Sequence, residues 1–291
     1  MKLTYYGQLL ALFCLLAPSV FQPLLAETIE VRIPTGIFAK ANFHVGKANL
    51  PSVLILHGFL QTRDFPTVSQ LRVGLDAAGY TTLSPTLSLG ISRRARSLPC
   101  EAAHSHTLEQ DVAEINFWVN WLARRKPGPI VIVGHSFGSV QSLIYATGKP
   151  APMLRQVIAL SLVDVEGQFA PRSIGDMRND AKKRIHFGDT QLAAYQLGYC
   201  KQFVSTPQSF LSYARWDRSG IIQLTRQSKV PFDIIMGGKD ERMGKDWPEK
   251  LSAAGNRVQI IVGGNHFFDA EHEFEVLDLT LSLLKSSELN K

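Results

Sequence analysis

From residue 53 onward the chain alternates between two kinds of pattern. Short, mainly apolar runs occur at Val53–Leu56, Tyr80–Leu83, Ile130–Val133, Val157–Val163, Phe232–Met236 and Val258–Val262, of which Val53–Leu56 and Ile130–Val133 are unbroken. A run with no polar face fits a strand covered on both sides, as in a mainly parallel sheet. Between these runs, apolar residues recur every three or four positions. Leu71, Leu75 and Ala78 mark one helix, stopped by Gly79; Leu108, Val112, Ile115, Val119 and Leu122 mark a second; Val140, Leu143 and Ile144 mark a third. Two more helices are predicted over Asp246–Ala254 and Phe274–Lys285. The second helix has complete end signals. Thr107 with Gln110 three residues on forms a capping box, Arg124, Arg125 and Lys126 suit the negative end of the dipole, and Pro127-Gly128 stops the helix. Ahead of all this, Thr28–Ile33 and Phe38–His44 read as extended segments joined by the turn Pro34-Thr35-Gly36.

Strands alternating with helices predict an α/β fold with helices on both faces of the sheet. The alternation lapses from Asp164 to Thr225, a stretch rich in aromatic residues: Phe169, Phe187, Tyr195, Tyr199, Phe203, Phe210, Tyr213 and Trp216. That stretch, about 164–225, is predicted to be an insertion capping one end of the sheet. Its aromatic rings either pack the cap itself or line an apolar acyl or aryl pocket.

The first 26 residues read differently. Lys2 precedes a mostly apolar run, Leu9–Val20, and then Leu24-Leu25-Ala26. A positive start, an apolar centre and a small residue at the cut describe a secretory leader, and the run falls short of the ~20 residues that span a bilayer. The sequence therefore predicts a signal peptide at 1–26, an α/β domain at 27–291, and an exported protein, periplasmic or secreted. Cys14 lies within the leader. The remaining cysteines, Cys100 and Cys200, are expected to pair in an oxidising compartment and so tie the cap to the core.

Composition narrows the partners. Hydrophobic residues are 45% and charged residues 19%, the balance of a folded globular chain, and the net charge is +6. The basic residues are scattered. Their densest cluster is Arg93, Arg94 and Arg96, a candidate contact for a substrate carboxylate or phosphate, and no nucleic-acid-binding motif accompanies it. A monomer with no nucleic-acid partner and weak contact with anionic surfaces is expected. Cys100, Glu101, His104 and His106 are metal-ligand types, but their spacing is not that of a zinc site, and no metal is predicted.

The candidate chemistry sits at the ends of the apolar runs. Ile130–Val133 leads directly into Gly134-His135-Ser136-Phe137-Gly138, and a helical pattern follows. This is the strand–sharp turn–helix that exposes a nucleophilic serine. Serine needs a base; His266, in Gly263-Gly264-Asn265-His266 just past the last strand, is the candidate. The imidazole needs a carboxylate to fix its tautomer. Asp240 follows Gly237-Gly238-Lys239 directly off a strand, and Asp164 is its competitor. The adjacent Glu241 is expected to point elsewhere. The main-chain N–H groups of Phe137 and of Phe59, the latter in His57-Gly58-Phe59 after the first buried strand, are the candidate oxyanion donors.

The strand ending in His57-Gly58-Phe59, the Gly134–Gly138 elbow, Asp240 and Gly264-Asn265-His266 fall in the order Ser, Asp, His, and in this the chain resembles the α/β-hydrolase superfamily, over roughly 50–150 and 228–285. The resemblance implies an eight-stranded, mostly parallel sheet, a variable cap, no cofactor, and hydrolysis through an acyl-enzyme. Ser136 argues against branches whose nucleophile is Asp. The expected function is hydrolysis of a small-molecule carboxylic ester or thioester. A silent binding protein on the same fold, or an amidase, peptidase or acyltransferase using the same residues, stands beside it.

Overall fold

A computed structural model describes residues 26–166 and 174–289, with side chains to residue 286. The predicted leader and Phe169 lie outside these described residues, apart from Ala26. In chain order the elements are β1 (Glu27–Arg32), β2 (Phe38–His44), β3 (Ser52–Leu56), α1 (Pro66–Ala77), β4 (Thr81–Thr86), α2 (Leu108–Arg125), β5 (Ile130–His135), α3 (Phe137–Thr147) and β6 (Leu154–Leu160). The middle segment holds α4 (Ile174–His186), β7 (Ala193–Leu197), β8 (Cys200–Ser205), α5 (Pro207–Ala214) and α6 (Arg218–Thr225). The chain then continues through β9 (Phe232–Gly237), α7 (Asp246–Ala253), β10 (Arg257–Ile261) and α8 (His272–Leu289).

Eight strands form one sheet in the order β1-β2-β4-β3-β5-β6-β9-β10. The six from β4 to β10 are parallel; β2 runs antiparallel to β4, and β1 antiparallel to β2. The apolar runs have the predicted consequence. Alternate residues of one strand face opposite sides, so Leu54, Ile132 and Ile234 join α2, α3 and α7 in one core, whereas Val53, Val131 and Ile235 join α1 and α8 in the other. Strand order reverses between β3 and β5, and the crevice beyond the carboxyl ends of strands at such a switch point is where α/β proteins place ligands.

Two sequence expectations need correcting. β4 begins at Thr81 and continues to Thr86 through Pro85. Pro85 is tolerated because β3 pairs only as far as Leu83, which leaves Pro85 opposite Ala41 of β2. The strand expected at Val157–Val163 starts and ends three residues earlier, at Leu154–Leu160. The 164–225 stretch departs from the alternation of the rest of the chain, and within it β7 and β8 form a hairpin of their own. Its inner face is aromatic, and Tyr195 stacks on Phe210 of α5 with ring centroids 4.1 Å apart.

The hairpin is fastened to the core. Val204 N–H donates to Cys100 O (3.1 Å), His104 N–H to Val204 O (2.9 Å) and Thr206 N–H to His104 O (3.2 Å), so β8 borders the irregular segment after β4. Cys100 and Cys200 are disulfide-bonded across a separation of 100 residues. Among the described residues no helix is long and apolar enough to cross a membrane.

Closing a loop of this size in the unfolded chain stabilises by up to about 4–5 kcal/mol. The Cys100→Ser/Cys200→Ser double variant should therefore unfold on the order of 10 °C lower than the parent in thermal denaturation. An unchanged midpoint would mean that the hydrogen bonds between β8 and the 100–106 segment hold the cap without the bond.

Candidate active site

Ser136 sits between β5 and α3 at φ 55° and ψ −122°, a left-handed-side conformation that costs a non-glycine residue. Close packing holds it there. A Cβ on Gly134 would come within 2.4 Å of Gly138 O, and one on Gly138 within 2.6 Å of His57 O. Both positions therefore need glycine for the strand to turn into the helix. Ser136 N–H donates to Leu160 O (2.8 Å), and Ser139 Oγ donates to Gly134 O (2.6 Å). The turn is thus tied to β6 on one side and to itself on the other.

The loops after β9 and β10 bring two further side chains to this point. His266 Nε2 lies 2.9 Å from Ser136 Oγ, and His266 Nδ1 lies 2.7 Å from Asp240 Oδ2. Asp240 and His266 are buried, whereas Ser136 keeps partial access. Asp240 Oδ1 accepts the Arg242 N–H (3.1 Å), which fixes the carboxylate plane. Asp164 is elsewhere engaged: its Oδ2 accepts from Arg218 Nε (2.9 Å) and its Oδ1 from the Glu166 N–H (2.8 Å).

Two residues that the sequence reading passed over support this arrangement. The His266 carbonyl accepts from His135 Nε2–H (3.0 Å) and from Ser161 Oγ–H (2.9 Å), so the backbone of the imidazole is pinned from β5 and from the end of β6. Burial, reinforced by the neighbouring His266, pushes His135 down to about 3. It is therefore a neutral donor. His135 was legible as the x of the Gly-x-Ser-x-Gly motif; Ser161, with φ 48°, follows a strand without any motif.

A cavity of about 290 Å³ opens over Ser136 and His266. Its walls are mainly apolar, with Phe59, Phe137, Val165, Leu197, Tyr199 and Met243 contributing. Phe59 is the hub of the aromatic side, with the rings of Phe137, Tyr199, Phe203 and Tyr213 all within 5.9 Å of it, centroid to centroid. Of the cap aromatics, Tyr199 lines the cavity, Phe203, Phe210 and Tyr213 are buried in packing, and Phe187 faces outward. Glu241, expected to point away, also lines the cavity, as does Arg242, whose guanidinium lies 4.6 Å from the Phe267 ring centre. Phe59 N–H has no acceptor among the described residues. Phe137 is the first residue of α3, ahead of that helix's hydrogen-bond ladder.

Asp164 also lines the cavity, whereas the arginine cluster and the possible metal ligands do not. Arg94 is buried and donates to the carbonyls of Leu60, Gln61, Leu87 and Arg96, while Arg93 pairs with Glu30. Cys100 is committed to the disulfide, and His104 stacks on Phe203 at 4.5 Å. No group of three potential metal ligands occurs among the described residues. His106 is buried beside His104 and Tyr213, and neither of its ring nitrogens has a protein partner.

A family model described as "Alpha/beta hydrolase family" matches residues 53–279. No curated protein matches the chain significantly. Among solved structures, Est1E from Butyrivibrio proteoclasticus is similar at TM-score 0.63 and 15% identity, covering 91% of this chain and 99% of its own. The alpha/beta hydrolase GrgF from Penicillium sp. sh18 superimposes at TM-score 0.68 and 13% identity, covering 91% and 100%. A thermophilic esterase from Thermogutta terrifontis, malate-bound, matches at TM-score 0.59 and 17% identity, covering 90% and 100%. At these identities the structural likeness concerns the fold.

The His106 environment generates a test. Burial, then His104 and Arg94, push this imidazole down from 6.5 to about 3. As pH falls from 6.5 toward 3, the unfolded chain binds a proton there that the folded chain refuses, so stability is lost across that window. His106→Phe removes the penalty, and its stability relative to the parent should rise as pH drops, by about 1 kcal/mol or more between about pH 8 and about pH 5. Denaturant titration at both values measures this; a gain that stays flat or reverses would show that the imidazole is not held neutral.

Proposed function

The chain belongs to the alpha/beta hydrolase family, and on that premise we propose that it is a serine hydrolase acting on a small carboxylic ester or thioester through an acyl-enzyme. The observation that carries this reading is the continuous hydrogen-bonded line from Asp240 through His266 to Ser136, at 2.7 and 2.9 Å. His266 takes the Ser136 proton as Oγ attacks the substrate carbonyl. Asp240 keeps the imidazole proton on Nδ1, so that Nε2 is the free base. The Phe59 and Phe137 N–H groups receive the oxyanion. The alcohol or thiol leaves with the proton from His266, and water, activated by the same imidazole, releases the acid.

The cavity supports a small acyl or aryl substrate. Its 290 Å³ lies at the lower end of ligand pockets, and rings of Phe59, Phe137 and Tyr199 face it. Two structural neighbours carry esterase or thioesterase titles, one of them a thioesterase domain from the curacin biosynthetic pathway, in keeping with ester or thioester cleavage. The disulfide, together with the leader-like start of the sequence, supports an exported protein.

Ser136→Ala should abolish hydrolysis of p-nitrophenyl esters and labelling by a fluorophosphonate while leaving the circular dichroism spectrum unchanged. Persistent labelling in that variant would place the nucleophile elsewhere. For the acid, Asp240→Asn should cut kcat by on the order of 10⁴, as when loss of the carboxylate leaves the base in the wrong tautomer. Asp164→Asn should act mainly on the cap, through Arg218. Steady-state kinetics on both variants discriminate, and the reverse pattern would assign the role to Asp164.

A further inference from the structure

Arg94 is a buried cation without a carboxylate partner. Only 4% of its surface is exposed, and no ion pair involves it among the described residues. Burial alone draws its guanidinium down to about 10, with Glu114 and Asp111 acting only at a distance. Its donors go instead to neutral groups: Nε to Leu87 O (2.7 Å), Nη1 to Arg96 O (3.1 Å) and Leu60 O (3.3 Å), and Nη2 to Gln61 O (2.6 Å) and His57 Nε2 (3.2 Å). A charge left unneutralised in a core is costly. Hydrophobic packing or a neutral amide could brace the 57–61 loop, so the charge itself calls for a reason.

The bond to His57 supplies one. His57 Nε2 faces two donors, Arg94 Nη2–H and the Leu87 N–H at 3.0 Å, and therefore carries no proton. The proton is on Nδ1, which donates to Gly58 O at 2.8 Å. Burial, then the Arg94 charge, hold His57 down at about 3, so this tautomer persists across the physiological range. Gly58 C=O belongs to the same peptide unit as Phe59 N–H. Drawing electron density onto that carbonyl oxygen makes the N–H at the other end a stronger donor. The chain of bonds runs from guanidinium to imidazole to carbonyl to amide, and ends at the side of the cavity where Ser136 lies.

We propose that Arg94 is a positioning residue for the oxyanion loop, acting through the Nδ1–H tautomer of His57 to orient and polarise the Phe59 N–H. The inference rests on the reading of Ser136 as nucleophile and adds to it the origin of the donor strength. A buried positive charge behind the donor favours negative charge at the carbonyl oxygen, which is larger in the tetrahedral state than in the bound ester. Arg94 therefore acts on kcat rather than on substrate binding.

The test compares the parent with Arg94→Met and Arg94→Lys, using p-nitrophenyl butyrate as substrate and phenylboronic acid as a probe whose tetrahedral adduct places an oxygen at the oxyanion position. Complete loss of one such donor costs about 10²–10³ in kcat; a donor weakened but still present should cost about tenfold. Arg94→Met, folded by circular dichroism, should show that fall in kcat, a KM within about twofold, and a matching loss of phenylboronic acid affinity; Arg94→Lys, which restores a cation, should recover part of each. If the folded Met variant keeps both kcat and phenylboronic acid affinity within about twofold, Arg94 is only a strut and the proposal is wrong. If Arg94→Met does not fold, the parent decides: the His57 Nδ1 proton resonance should move downfield when the phenylboronic acid adduct forms, and a resonance that does not move overturns the proposal. Fluorophosphonate labelling of Ser136 in the parent separates the two levels. A labelled parent with an indifferent Arg94 loses this inference alone, whereas an unlabelled, inactive parent loses the underlying reading as well.

Discussion

The whole site depends on how sharply the chain reverses at the end of β5. That strand is central and covered on both faces, so it can leave the sheet only at its carboxyl end, and α3 begins one residue after Ser136. The reversal requires positive φ at Ser136, and the backbone approaches of Gly134 to Gly138 and of Gly138 to the β3 loop leave no room for a side chain. The strain is local, and the hydrogen bonds to Leu160 O and Gly134 O oppose it. With the hydroxyl fixed in this way, the loops after β3, β9 and β10 need only bring one group each to the same end of the sheet. Parallel strands do this without further specification, because all their carboxyl ends lie together.

The sequence made the sheet legible because buried parallel strands carry an apolar signal with no polar face to confuse it. Ser136, Asp240 and His266 were legible because glycine-rich turns directly follow such strands. The β7–β8 hairpin was not. Its strands are short, only one face is buried, and its aromatic residues serve the packing of the cap as readily as a pocket. The arginine cluster misled for a related reason: charge in a sequence reads as surface, and nothing in the order Arg93-Arg94-Ala95-Arg96 says that the second side chain turns inward to backbone carbonyls. Glu241 was misjudged because orientation within a loop depends on φ and ψ, which composition does not encode.

Buried polar groups join α5 to α2 and α3. Asp111 of α2 accepts hydrogen bonds from Gln141 of α3 and Tyr213 of α5, and burial pushes its carboxyl up to about 8. Ser212 Oγ accepts the first free N–H of α2, from Leu108, at 3.0 Å. Glu114 accepts from Ser88 and Trp118. A purely apolar seam would let α5 slide along α2; bonds of fixed length and direction choose one placement. The placement matters because Tyr213, on α5, packs against both Phe59 and Phe137, which line the cavity beside Ser136.

The covalent tie at Cys200 changes what a local opening of the cap means. The hairpin meets the loop after β3 through Tyr199, one residue before the bridged cysteine; the Tyr199 hydroxyl donates to Phe59 O at 3.0 Å. If β8 parts from the 100–106 segment, the tethered strand cannot diffuse away. Its effective concentration at its own docking site stays in the range of short linkers, on the order of millimolar or above. Re-docking is then a fast intramolecular event, and the cavity roof is renewed after each excursion without a fresh search.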